Sequence, residues 1–70
     1  MKALTDFGIE IKTALIRNGK TQKWLQEQVR DRLGLYFDDS YLHKIMVGES
    51  NPEHIKEAIR EILGLKSEGV

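Results

Sequence analysis

The chain has no cysteine, only one proline and one tryptophan, and no net charge. Without cysteine it can form neither a disulfide nor a thiolate metal site, so its stability has to come from packed apolar faces. No apolar run approaches the roughly 18–20 residues of a membrane span, and the N-terminus lacks the apolar segment of a signal peptide. We therefore expect one small cytoplasmic domain over residues 1–65, independent of the membrane, followed by a frayed tail at residues 66–70.

Charge is unevenly divided along the chain although it sums to zero. Residues 1–37 carry seven Lys/Arg and four Asp/Glu, giving +3, whereas residues 38–70 carry four and seven, giving −3. Such a dipolar molecule can present its basic end to phosphate and keep its acidic end away. Because many nucleic-acid-binding domains are basic, the charge alone favours the plainer interpretation that mixed charges solvate a small surface.

Local signals predict two helices in the first half of the chain. The first should begin after Thr5 or Asp6 and end at Asn18-Gly19. Thr21 should cap the second, and Gly34 should end it. In both, apolar residues recur at helical spacing and predict buried stripes: Phe7, Ile11, Ala14, Leu15, Leu25, Val29 and Leu33.

The segment after the second helix predicts a loop and a short third helix. Leu35-Tyr36-Phe37 is too short for a helix and should be a loop held against the core. Asp38 or Asp39 should cap the third helix, which should run to about Val47 with Gly48 just beyond its end. Its inward residues should be Leu42, Ile45 and Met46.

Asn51 and Pro52 are a strong start signal for a fourth helix, with Asn51 as the cap and Pro52 in the first helical position. Gly64 should close it. Gly8 is a mild weakness near the start of the first helix. The inward stripe of the fourth helix should comprise Ile55, Ala58 or Ile59, Ile62 and Leu63. The chain is thus expected to be all-α.

Three short segments stand in a specific order between flanking helices: Lys20-Thr21-Gln22-Lys23-Trp24-Leu25, Ser40-Tyr41-Leu42-His43-Lys44-Ile45 and Gly48-Glu49-Ser50-Asn51-Pro52. In this order they resemble the Cro/CI-type helix-turn-helix family of phage and bacterial transcription regulators. The resemblance covers about residues 5–64. It implies a lambda-repressor-like domain of four to five helices in which the third helix enters the major groove of DNA.

The chain departs from the family pattern in three places. Gln26 stands where the family usually has alanine, and it cannot be buried cheaply without a polar partner. The stretch from Thr21 to Gly48 is about six residues longer than usual, which implies either a longer second helix or an extended connection between the second and third helices, built on Tyr36 and Phe37. Glu49 follows Gly48, where the family often has a basic residue.

The resemblance implies that the third helix carries base recognition. Lys44 can donate to guanine, Ser40 can pair with several bases, and the Asp39 carboxylate can accept from cytosine. An Asp at a helix start is also a cap, and this structural role is the better prediction for Asp39. The residues facing the groove are then expected to be Asp39, Ser40, His43 and Lys44, with Tyr41 close to the DNA backbone.

The start of the second helix is implied to hold a phosphate. An amide such as Gln22 beside a helix N-terminus offers phosphate several N–H groups at once. In the absence of the family context Gln22 would simply face solvent. Arg17, Lys20 and Lys23 flank the same region and can add salt-sensitive phosphate contacts, or can be merely solvated.

Trp24 lies next to the Leu25/Val29 stripe rather than on it. The favoured interpretation is packing against the long connection through Tyr36 or Phe37. The alternative is an exposed anchor for a protein partner or for a second copy of the chain. A homodimer is expected because one small module buries modest surface on DNA, and dimerisation could come from the fourth helix, Trp24 or the DNA itself.

Catalysis and cofactors are not expected from this sequence. His43 and His54 are eleven residues apart on different helices, without a metal-ligand partner, and no Gly-rich phosphate loop is present. The resemblance implies a sequence-specific regulator that binds double-stranded DNA. The alternative is a protein-interaction module on the same scaffold, such as an antirepressor or antitoxin-like protein, favoured by the zero net charge, Asp38-Asp39 and Trp24.

Overall fold

The computed structural model describes residues 3–65 and shows four helices within them: α1 (Asp6–Arg17), α2 (Gln22–Leu33), α3 (Asp39–Met46) and α4 (Glu53–Leu63). The described part contains no strand, which confirms the all-α class and the expected helix order. None of these helices combines the length and apolar character that crossing a bilayer requires. The predicted frayed tail at residues 66–70 lies outside the described residues.

Three of the helices begin where a side-chain oxygen accepts a bond from the first turn. Thr5 Oγ1 accepts from the Gly8 N–H (3.2 Å), and Thr21 Oγ1 accepts from the Trp24 N–H (3.0 Å). Of the two candidate caps for α3, Asp38 serves, with Oδ1 accepting from the Tyr41 N–H at 2.9 Å. These bonds satisfy N–H groups that have no acceptor within the helix.

The predicted start of α4 was wrong by one residue. Pro52, not Asn51, is the capping residue, with an extended backbone (φ −74°, ψ 109°) and no side-chain cap bond. The Asn51 side chain is used elsewhere, because its amide donates to the Gly48 carbonyl (3.4 Å) and its oxygen accepts from Lys56 Nζ (3.5 Å). The predicted end of α4 at Gly64 is confirmed by its left-handed backbone.

The core is one cluster supplied by all four helices and by the α2–α3 loop. α2 packs on α4, and α1 packs on α3. Of the predicted stripes, Phe7, Leu33, Ile62 and Leu63 are only partly buried and pack against the cluster. The residues that form the cluster are Ile11, Leu15, Leu25, Val29, Phe37, Leu42, Ile45, Met46, Ile55 and Ile59.

Phe37 fixes the α2–α3 connection, residues 34–38, to this core. Its side chain is fully buried, whereas the adjacent Tyr36 is 75% exposed. The Phe37 ring also packs against Tyr41 of α3, with a centroid separation of 5.1 Å. The prediction of a loop held against the core is therefore confirmed, and it is held by one aromatic side chain of the pair.

Gly8 is the point of closest approach between α1 and α3. A β-carbon built at Gly8 would lie 2.4 Å from the Met46 carbonyl oxygen, which no real side chain tolerates. Thr5 approaches the same oxygen, donating to it from both its N–H (2.9 Å) and its hydroxyl (2.9 Å). Gly8, which the sequence marks only as a mild helix weakness, is thus the residue that lets the start of α1 reach the end of α3.

Candidate nucleic-acid interface

The outward face of α3 carries the side chains predicted to contact bases. Leu42, Ile45 and Met46 are buried, as the sequence predicts. Successive helical residues are about 100° apart, so a helix with one buried side turns its other residues away from the core. Of the remaining α3 residues, Asp39, Ser40, His43 and Lys44 are exposed, and Tyr41 is partly buried. This face therefore offers both hydrogen-bond donors and hydrogen-bond acceptors.

The start of α2 presents a second polar region. Gln22 is the first residue of α2 and is partly buried. Arg17, Lys20 and Lys23 lie close to Gln22 in the sequence and are all exposed, and we call these three the basic corner. Thr21 satisfies the Trp24 N–H, and the remaining N–H groups of the first turn have no acceptor within the helix. Positive charge and free N–H groups together suit an anion.

One hydrogen bond links α2 to the outward face of α3. Gln26 is buried, and its Nε2 donates to Asp39 Oδ1 at 3.1 Å. Gln26 lies one turn after Gln22 on the same side of α2, because residues four apart are helix neighbours. The contact therefore sets the head of α3 about one turn along α2 from Gln22. It also supplies the polar partner that a buried glutamine in place of alanine requires.

The structure corrects the predicted role of Asp39 as the cap of α3. Capping by Asp39 was the better prediction from sequence, but Asp38 forms the cap and Asp39 is the first helical residue. One oxygen of the Asp39 carboxylate accepts from Gln26, although the residue as a whole is exposed. Its negative charge at the start of α3 is favourable, because it is attracted to the positive end of the helix dipole.

Trp24 packs against the core and is partly buried. The ammonium group of Lys20 lies over its ring, 5.2 Å from the centroid. Such a cation over an aromatic face is a favourable electrostatic contact. Trp24 is therefore a packed residue rather than a fully exposed one, and its contact with Lys20 gives that lysine a defined position in the basic corner.

Tyr36 is a candidate site residue that the sequence did not single out. Its hydroxyl donates to Asp38 Oδ2 at 3.0 Å while its ring stays exposed. It borders a shallow groove of about 420 Å³ beside α3. The available signal was an aromatic pair inside a connection longer than the family pattern. The groove is lined by Tyr36, Asp38, Ser40, Tyr41, Lys44 and Ser50.

The two bonds to Asp38 shift the titration of both partners. The Tyr41 N–H, and after it the Tyr36 hydroxyl, lower the pKa of Asp38 below its ordinary 3.8. The same hydroxyl bond, together with the charge of Asp38, raises the pKa of Tyr36 above its ordinary 10.0. Because a carboxylate with a lowered pKa stabilises the fold only when ionised, its contribution is present above pH 3.8 and is lost as the pH falls further.

We expect this to appear as a pH-dependent difference between the wild type and Asp38→Asn. Asparagine also caps helices but does not titrate, so the free-energy difference between the two proteins should change as the pH falls below 3.8. The pKa of Tyr36 is raised rather than lowered, so its contribution to stability is present below pH 10.0 and is lost as the pH rises further. The free-energy difference between the wild type and Tyr36→Phe should therefore change above pH 10.0. Urea titrations across pH measure both. A difference that stays constant through both ranges would contradict the assigned bonds.

Searches with this chain against protein-family models, curated proteins and solved structures find no match. Within residues 3–65, no group of three or more His, Cys, Asp or Glu side chains is placed to hold a metal ion.

Proposed function

We propose that the protein is a small sequence-specific DNA-binding regulator that inserts α3 into the major groove. The observation that carries the proposal is the Gln26–Asp39 contact, which sets the head of α3 about one helical turn from the N-terminus of α2. Two polar surfaces so joined can contact a base edge and a neighbouring phosphate together. The resemblance to Cro/CI-type helix-turn-helix regulators supports the same assignment.

The exposed side chains of α3 have the chemistry for direct base contacts. Lys44 can donate to guanine O6 or N7, and Ser40 and His43 can hydrogen-bond to several bases. Asp39 keeps one carboxylate oxygen outside its bond to Gln26, and that oxygen can accept from cytosine N4. Tyr36 borders the same groove as Lys44 and brings a further hydroxyl to this surface.

Phosphate contacts would come from the start of α2. Gln22 and the first-turn N–H groups of α2 can donate to one phosphate, since a helix N-terminus favours negative charge. Arg17, Lys20 and Lys23 can contact neighbouring phosphates, and each such contact adds slightly under one to the salt slope. For phosphate binding, the zero net charge of the chain then matters less than the local positive charge of the basic corner near the start of α2.

Selection from a random duplex library tests this proposal. We expect enrichment of a motif, followed by binding of the best duplex about 1,000-fold or more tighter than a scrambled one. Titration at several salt concentrations should give a steep slope. A symmetric motif would indicate two copies on half-sites about one helical turn apart. No enrichment, together with weak binding at low salt, would contradict the proposal.

A protein-interaction module on the same scaffold is the second candidate. Asp39 and Glu49 are both exposed near the two ends of α3, and the chain carries no net positive charge to attract nucleic acid. This acidic pair suits a basic protein partner of an antirepressor or antitoxin-like protein. If duplex selection fails, capture of a basic partner that Asp39→Lys abolishes would establish this function instead.

A further inference from the structure

The outward face of α1 carries two exposed isoleucines. Ile9 is 51% exposed and Ile16 is 78% exposed, and with Tyr36 they are the large exposed hydrophobic residues of the described chain. They lie seven residues apart, so they share one side of the helix, and Thr13 stands between them. Single surface hydrophobic residues are ordinary, but two aligned on one helix form an apolar stripe.

A groove borders this stripe on one side. It has a volume of about 430 Å³ and runs between α1 and the end of α4. Ile9, Leu63 and Leu65 contribute its apolar walls. Glu10 and Arg17 line the same groove, so both charges lie on one flank of the stripe. An occupant must therefore offer apolar side chains together with charges of both signs.

The pattern is complementary to itself when the helix is reversed. Ile9 and Ile16 are centred close to Thr13, and so are Glu10 and Arg17. If two α1 helices meet antiparallel about a two-fold axis at Thr13, each Ile9 lies beside the partner's Ile16. The same flank of each helix then meets, so each Glu10 faces the opposite Arg17. Within the described residues, neither charge forms an ion pair of its own.

We propose that this face binds the same face of a second copy of the chain, with the two α1 helices antiparallel. A two-fold interface uses one patch twice and requires such self-complementarity. One copy supplies both isoleucines and both charges, so a second copy satisfies the whole pattern. This association does not depend on the proposed DNA binding.

The dimer should be weak. Two isoleucines and one threonine per copy form a patch well below the roughly 1,200–2,000 Å² buried in stable interfaces. Lys12 is exposed on the other flank, where the two copies bring like charges together. We expect a dissociation constant of about 10–1,000 μM, so that the protein is monomeric when dilute and dimeric when concentrated.

Charge exchange between copies tests the arrangement. Glu10→Arg and Arg17→Glu should each weaken self-association at least about tenfold, because each places like charges opposite one another. An equal mixture of the two variants should associate again, since each Arg then meets a Glu across the axis. Glu27→Arg makes the same charge change as Glu10→Arg at an exposed position on α2 and should have little effect.

Sedimentation equilibrium without DNA, up to about 1 mM protein, gives the readout. Circular dichroism confirms that each variant folds, and Ile16→Gln should also abolish association because it removes the most exposed apolar side chain of the stripe. Two results would overturn the inference. The first is a wild type that stays monomeric throughout; the second is a dimer in which the mixed variants associate no better than either variant alone.

Discussion

Replacing Phe37 with alanine should lower the free energy of unfolding by about 3–5 kcal/mol. The side chain is fully buried within the core cluster and packs against Tyr41. Its loss removes apolar burial and leaves a cavity beneath the α2–α3 connection. Because the domain has only a small core, a loss of this size should leave much of the protein unfolded at 37 °C.

The neighbouring aromatic provides the control. Tyr36 is 75% exposed, so Tyr36→Ala should change stability little, although it is the same kind of truncation one residue away. Urea unfolding followed by circular dichroism measures both variants. Equal stabilities for the two variants would mean that Phe37 does not hold the connection to the core.

Replacing Gly8 with alanine should cost about 2–3 kcal/mol, even though alanine is the better helix former by about 1 kcal/mol. A β-carbon there would lie 2.4 Å from the Met46 carbonyl oxygen. That atom belongs to the backbone at the end of α3 and cannot rotate away. The two helices must therefore separate, and their separation breaks the two Thr5 hydrogen bonds to the same carbonyl.

The sign of this effect distinguishes packing from helix propensity. Thr13→Ala, at an exposed position on the same helix, should leave stability unchanged or raise it slightly. Thermal unfolding of dilute protein compares the two variants. A Gly8→Ala protein as stable as the wild type, or more stable, would contradict the close approach of α1 and α3.

The helices were predictable because their signals are local. Thr21, Gly34 and Asp38 act within one turn of their own positions, and the apolar spacing marks the buried sides. The exception is Asn51, which by residue type is the better cap but is not the capping residue of α4. Its side chain contacts Gly48 and Lys56 instead, and Pro52 is the capping residue.

The contacts between helices could not be predicted in the same way. Gly8 and Met46 are far apart in sequence, and neither residue carries a sign of the other. Gln26 could be identified as needing a polar partner, but not that Asp39 is the partner. Tyr36 could not be identified as a site residue, because an apolar run does not show which of its members will be exposed. The exposed face of α3 was predictable, and its setting against α2 was not.

The most direct test of DNA recognition by α3 and α2 is the affinity of Gln22→Ala/Lys44→Ala for the selected duplex. Gln28→Ala/Lys56→Ala is the matched control, since it removes the same two residue types outside the proposed interface. We predict at least about tenfold weaker binding and a shallower salt slope for the first variant, and near-wild-type binding for the control. Undiminished binding by the first variant, or equal losses in both, would contradict the proposed interface.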